Sequence, residues 1–221
     1  MVVARQQAGL NDLLSRIDES GGRAIAVVGD VKEESTAKRA VEAAVSAFGG
    51  LDISFNNAGT LGAMGPTPDI PITGWRDAVE TNLTSAFLGA KYQIPEMLKR
   101  GSGSVIFTST FVGHTAGFPG TAAYAASKAG LIGLTQALAA EYGPHAIRVN
   151  ALLPGGTDTP MAAAMNGTPE AIAHVASLHA LKRIARPEEV AQAALFLASD
   201  VASFMTGTAM LVDGGVSINR V

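Results

Sequence analysis

The sequence has no cysteine, few charges and few aromatic residues, and each shortage removes a class of function. Without a thiol there is no disulfide framework, no thiolate nucleophile and no cysteine metal ligand, and the composition suits a reducing cytoplasm. Charged residues make up 16% of the 221, the net charge is −3, and Lys and Arg form no run, so a nucleic-acid partner is not expected. The four His, at positions 114, 145, 174 and 179, lack metal-ligand spacing, and no metal is expected. No stretch approaches the ~18 uninterrupted apolar residues of a membrane span, and the first residues lack a signal peptide's paired charged and apolar regions. A membrane partner is therefore not expected.

What is abundant is small and apolar: hydrophobic residues reach 48% and there are 25 Gly. The length suits a single domain, residues 1–221, with a full core. Apolar runs at Val2–Arg5, Ala24–Asp30, Leu51–Asn57, Ser104–Thr110, Ile147–Leu153 and Ala209–Asp213 read as strands. The run at 24–30 has the pattern of a strand buried on both faces. Between them lie helical patterns: Leu10, Leu13, Leu14 and Ile17; Ala37 to Phe48; Trp75 to Tyr92; and Tyr124 to Tyr142. Pro95 is expected to bend or break the third. Strands alternating with helices predict right-handed crossovers and a doubly wound parallel α/β sheet in three layers. The segment 155–186 interrupts this rhythm, without a strand, and reads as a substrate-side excursion: a lid, or a surface helical pair.

Tyr124 and Lys128 stand four residues apart in a helical stretch, which places phenol and ammonium on one face. A phenol's pKa is about 10, and a neighbouring ammonium favours the phenolate, bringing it toward the range of a general acid or base. The same spacing also describes a half-buried ring beside a solvated amine.

Taken together, the motifs in chain order resemble the short-chain dehydrogenase/reductase family: Asp30-Val31 after a strand, Asn56-Asn-Ala-Gly59 after the next, Asn82 in a long helix, Tyr124-x-x-x-Lys128, Pro154-Gly-x-x-x-Thr159, and Thr206-Gly with Val212-Asp-Gly-Gly215. The resemblance implies a Rossmann-type fold and an NAD(P)(H)-dependent oxidoreductase interconverting a secondary alcohol and a ketone. The runner-up is a catalytically silent scaffold. By resemblance, Tyr124 is the general acid/base, Lys128 binds the nicotinamide ribose, Asn82 holds a water through a helix irregularity, and Thr110 or Ser109 binds the substrate carbonyl. The family's Ser position, counted back from Tyr124, falls on Phe111; aligning on Gly113 makes Thr110 the preferred candidate. Cofactor contacts are expected from Asp30, Val31, Asn57, Ala58, Gly59, Pro154, Gly155 and Thr159. Asp30 also reads as a helix N-cap, and 56–59 as an Asx turn. Phe118, Met161, Met165 and the His residues suggest a mainly apolar pocket.

The family opens with a strand and a TGxxxGIG turn, and neither is found here. Residue 1 falls where the second strand begins, so roughly 30 upstream residues are expected to be absent, through a start taken at an internal Met or a shortened chain. The two flanking strands should then lack their shared partner, and dinucleotide should bind poorly. Ala4 replaces an acidic residue and Arg5 follows, favouring NADP over NAD. A homo-oligomer, tetramer or dimer, is expected, with the Ala-rich face of 125–139 as one interface.

Overall fold

A computed structural model describes residues 1–219. Val2–Ala4 (β1) pairs in parallel with Ala26–Val28 (β2). A second sheet has the order β3-β4-β5-β6, built from Ile53–Asn56, Gly103–Thr108, Ile147–Pro154 and Ala209–Val212, all parallel. Helices Gln7–Glu19 (α1), Glu34–Phe48 (α2), Ser85–Arg100 (α4), Ala122–Tyr142 (α5) and Pro187–Ala198 (α8) supply the crossovers, and Ile72–Val79 (α3) precedes α4. Alternation along β4 sends Val105 and Phe107 to a core shared with Ile94, Met97, Leu131 and Val149, and sends Ile106 to the other face with Leu152, Ala194 and Leu197. Both faces of β4 and β5 are therefore covered, as parallel strands require. β2 differs from its expected pattern: it is an edge strand, and Val28 is 43% exposed.

Between β1 and β3 lies a slot of about 810 Å³, lined by Val3, Val41, Ala44, Phe48, Ile53 and Phe55 among others. This is why the sheet is in two pieces. Asp52 accepts from Ser104 on the β4 side, so by alternation the peptide groups of Ile53 and Phe55 face the slot. Opposite, Val2 donates to Ile25 and Ala4 accepts from Gly29, which leaves Val3 facing it. The buried hydroxyl of Ser54 has no hydrogen-bond partner among the described residues.

The helical break expected at Pro95 occurs elsewhere. Glu80–Thr84 form a π turn between α3 and α4, while Pro95 lies inside α4. The carbonyl deprived of its donor by Pro95 belongs to exposed Lys91, where water can satisfy it, so the helix continues. The excursion is a helical pair, Pro160–Asn166 (α6) and Pro169–Leu178 (α7), each capped by a Thr hydroxyl accepting from a backbone N–H, at Ala162 and Ala171. Its base is closed by the parallel bridge of Thr157 with Ala185.

In native-state hydrogen exchange, the amides of Val3, Ile53 and Phe55 are expected to exchange at least about a hundredfold faster than those of Val105 and Val149. Equal protection would show that the slot is closed in solution.

Candidate active site

The carboxyl ends of β3, β4 and β5 converge on the first turns of α5. Lys128 is 4% exposed, and its Nζ donates to the Thr108 carbonyl at 2.6 Å. The Ser109 hydroxyl donates to the Lys128 carbonyl at 2.7 Å, tying β4 to α5 from below. Gly59 is needed here for close approach: a Cβ would lie 3.0 Å from Lys128 Nζ and 3.1 Å from Asn82 Oδ1. Burial pushes the Lys128 ammonium down to about 8.

Asn82 is 1% exposed and sits on the π turn. Its Oδ1 accepts from Thr60 N–H, while its Nδ2 donates to the Thr60 carbonyl and to Ser127 Oγ. The extra residue in the π turn lets one side chain join the loop after β3 to α5. Asn57 Oδ1 accepts from the Thr108 hydroxyl at 2.8 Å, bracing β3 against β4, and Asn56 forms a reciprocal amide pair with Gln93.

Burial holds the Tyr124 phenol above its ordinary range, and a hydrogen bond with Thr110 opposes that shift. The ammonium expected to lower the phenol instead engages Thr108, so Tyr124 is shifted up in this structure rather than down. The Thr110 hydroxyl, which accepts from the Val112 N–H at 3.3 Å, lies near Tyr124, while Ser109 is occupied with the Lys128 backbone. Next to Thr110, Phe111 and Phe118 pack edge to face with centroids 5.7 Å apart.

The other expected contacts are more dispersed. Val31, Asn57 and Ala58 line the slot. Asp30 accepts from the Lys32 N–H in an Asx turn, and Lys32 Nζ reaches Asp77 of α3 at 2.8 Å, an ion pair with no motif to announce it. Arg5 is exposed just beyond β1. Pro154 ends β5, and Gly155 donates to the Val212 carbonyl. The Thr159 hydroxyl is engaged in capping α6.

The His residues do not gather into a pocket. His145 lies in the turn before β5, at the sheet's opposite end, His114 and His174 are exposed, and His179 is 2% exposed. Met161 and Met165 are exposed on α6 at 42% and 53%.

A family model described as "Enoyl-(Acyl carrier protein) reductase" matches residues 1–217. The cyclohexanol dehydrogenase of Acinetobacter sp. (strain SE19) is 41% identical over 194 residues, covering 88% of this chain and 75% of that protein. The 3beta-hydroxysteroid dehydrogenase 1 of Eggerthella lenta is 40% identical over 212 residues, covering 96% and 81%. Levodione reductase superposes with a TM-score of 0.94 at 32% identity, covering 99% of this chain and 87% of that one. Two further structures of this fold carry dinucleotides. One is an NAD+-bound xylitol dehydrogenase, with TM-score 0.91, 29% identity and coverage of 96% and 87%. The other is a gluconate 5-dehydrogenase of Burkholderia cenocepacia J2315 with NADP, with TM-score 0.92, 26% identity and coverage of 99% and 85%.

Lys128 generates a pH prediction. Its folded value near 8 lies below the ordinary 10.5, so above pH 8 the native state releases a proton that the unfolded chain still holds. Stability then rises with pH through that window. Between pH 8 and 10.5 the wild type should gain up to about 3 kcal/mol relative to Lys128→Met in urea unfolding. A constant difference would mean that the amine is solvated.

Proposed function

Because the chain belongs to the short-chain dehydrogenase/reductase family, and is an NAD(P)-dependent oxidoreductase of secondary alcohols and ketones, we propose that it acts on an alicyclic ring, with Tyr124 as proton donor and acceptor. What supports the assignment of roles is the half-buried Tyr124 phenol near Thr110, one helical turn from buried Lys128, which is bonded to the end of β4. A silent scaffold is not favoured, since the relatives described above are named dehydrogenases and reductases.

The donor set suits a nicotinamide ribose. Of three ammonium protons on Lys128, the bond to Thr108 uses one, leaving others for ribose hydroxyls, and Gly59 keeps that space open. In this reading Asn57, Ala58, Gly59, Pro154, Gly155 and Thr159 would contact the rest of the nicotinamide half, and Asp30 with Val31 the adenine. Bound NAD(P)H supplies the hydride. Thr110 orients the carbonyl oxygen, and Tyr124 passes its hydroxyl proton to that oxygen as negative charge develops. Asn82 and Lys128 extend the proton path through water. Ser109 acts as a brace, since its hydroxyl is directed at the Lys128 backbone.

Exposed Arg5 beside Ala4 supports NADP over NAD. The Phe111–Phe118 pair next to Thr110 supports a flat apolar substrate, and relatives named for cyclohexanol and a hydroxysteroid agree with a ring. We further propose one domain over 1–221 with 155–186 as its substrate-side excursion, a cytoplasmic location and a homo-oligomer. The exposed Phe87 of α4 and the Ala-rich face of α5 support the last, as does 50% exposure of that Phe. No helix among the described residues is long and apolar enough to cross a membrane.

The test is steady-state oxidation of cyclohexanol and reduction of cyclohexanone with each dinucleotide, beside a fluorescence titration of NADPH and NADH. Saturable NADPH binding and turnover are expected. Tyr124→Phe should lower kcat by about a thousandfold with unchanged thermal unfolding. Turnover retained by that variant would remove Tyr124 from its role.

A further inference from the structure

His179, the residue that ends α7, has no place in the constellation described so far, yet its ring is bonded through both nitrogens. Nε2 accepts from the Gly156 N–H at 2.9 Å, and Nδ1 meets the Val175 carbonyl at 2.8 Å. A carbonyl only accepts, so Nδ1 carries the proton and Nε2 is the lone-pair nitrogen: the ring is neutral and in one tautomer. Few side chains offer a donor and an acceptor on opposite edges of one rigid ring.

Three glycines make the ring's socket. A Cβ added at Gly155 would lie 2.9 Å from Nε2, one at Gly156 2.9 Å from Cε1, and one at Gly214 3.3 Å from Cδ2. These come from Pro154-Gly-Gly after β5 and Asp213-Gly-Gly after β6, so both double-Gly turns close on one imidazole. Backbone bonds complete the seam: Gly155 to Val212, Ala185 to Gly156, Asp158 to Ala185 and Leu181 to Gly214. The Asn219 side chain donates to the Leu178 carbonyl at the same helix end.

We infer that His179 is a positioning residue: its neutral ring latches the end of α7 to the loop 154–159 and so holds still the loop that borders the dinucleotide while α6 and α7 extend outward. Its bearing on catalysis rests on the function proposed above; the latch itself does not. The imidazole thereby joins the backbone bonds at the base of the helical pair directly to the point where the loop leaves β5.

The experiment uses the 221-residue chain without added ligand. Imidazole 15N spectra should show His179 protonated on Nδ1, and the Gly156 amide should be protected from hydrogen exchange. In His179→Phe, which fills the socket without an acceptor, Gly156 exchange should rise about tenfold while Val105 and Val149 stay protected. His179→Gln, whose amide oxygen can accept from Gly156, should recover part of that protection. An NADPH titration of the three proteins should then give a Kd about tenfold weaker for Phe and intermediate for Gln. Unchanged Gly156 exchange in the Phe variant, an Nε2-protonated ring, or equal loss of protection throughout β4 and β5 in both variants would overturn the latch. Absence of NADPH binding by the wild type would count against the proposed function and leave the ligand-free result standing.

Discussion

A lysine ammonium almost withdrawn from water is the constraint around which this site is built. Taking a charge out of solvent is unfavourable unless its hydrogen bonds are replaced, and here one of the three is replaced by protein, which leaves the group depressed to about 8. The Thr108 carbonyl at the end of β4 receives Nζ, Gly59 yields the space beside it, and the Ser109 hydroxyl holds the backbone of Lys128. The Asn82 bridge between Thr60 and Ser127 closes the remaining side. Four segments far apart in sequence must be in register for one amine to be buried. That requirement also explains why Ser109, with a hydroxyl suited to a substrate, works as a strut, and why Thr110 is left facing Tyr124.

The slot between β1 and β3 divides the strands into a four-stranded and a two-stranded sheet. To one side, β3 to β6 form a continuous parallel sheet with α4, α5 and α8 packed on it. On the other, β1 and β2 pair only with each other, and a two-stranded pair contributes little by itself. Among the described residues, the peptide groups of Val3, Ile53 and Phe55 face this seam rather than a neighbouring strand, between partly exposed apolar walls. The Lys128 site lies on the well-braced side. Asp30, Val31 and Arg5 lie on the other, so the contacts expected for adenosine depend on the weaker half.

The relatives are named for different alcohols and ketones, and levodione reductase and xylitol dehydrogenase share this chain's fold, so the fold alone does not choose the substrate. Two segments stand out from the sheet's carboxyl edge, the loop at 111–118 and the pair α6–α7. Both are exposed and both are anchored at their bases, the first by the Val112–Ala116 bridge and the second at Gly156.

Periodicity and turn residues by themselves determined the order of strands and helices, because a strand buried on both faces and a helix with an apolar stripe each leave a local pattern. The Tyr124–Lys128 pair was legible for the same reason, as a spacing of one helical turn. Of the two effects expected of Pro95, a bend or a break, the break does not occur, because the freed Lys91 carbonyl is open to water, which sequence does not state. Only the tertiary structure decided that Lys128 turns to Thr108 and that His179 sits between two double-Gly turns. Each is a contact between segments tens of residues apart, set by sheet register and burial, and neither leaves a trace in local spacing.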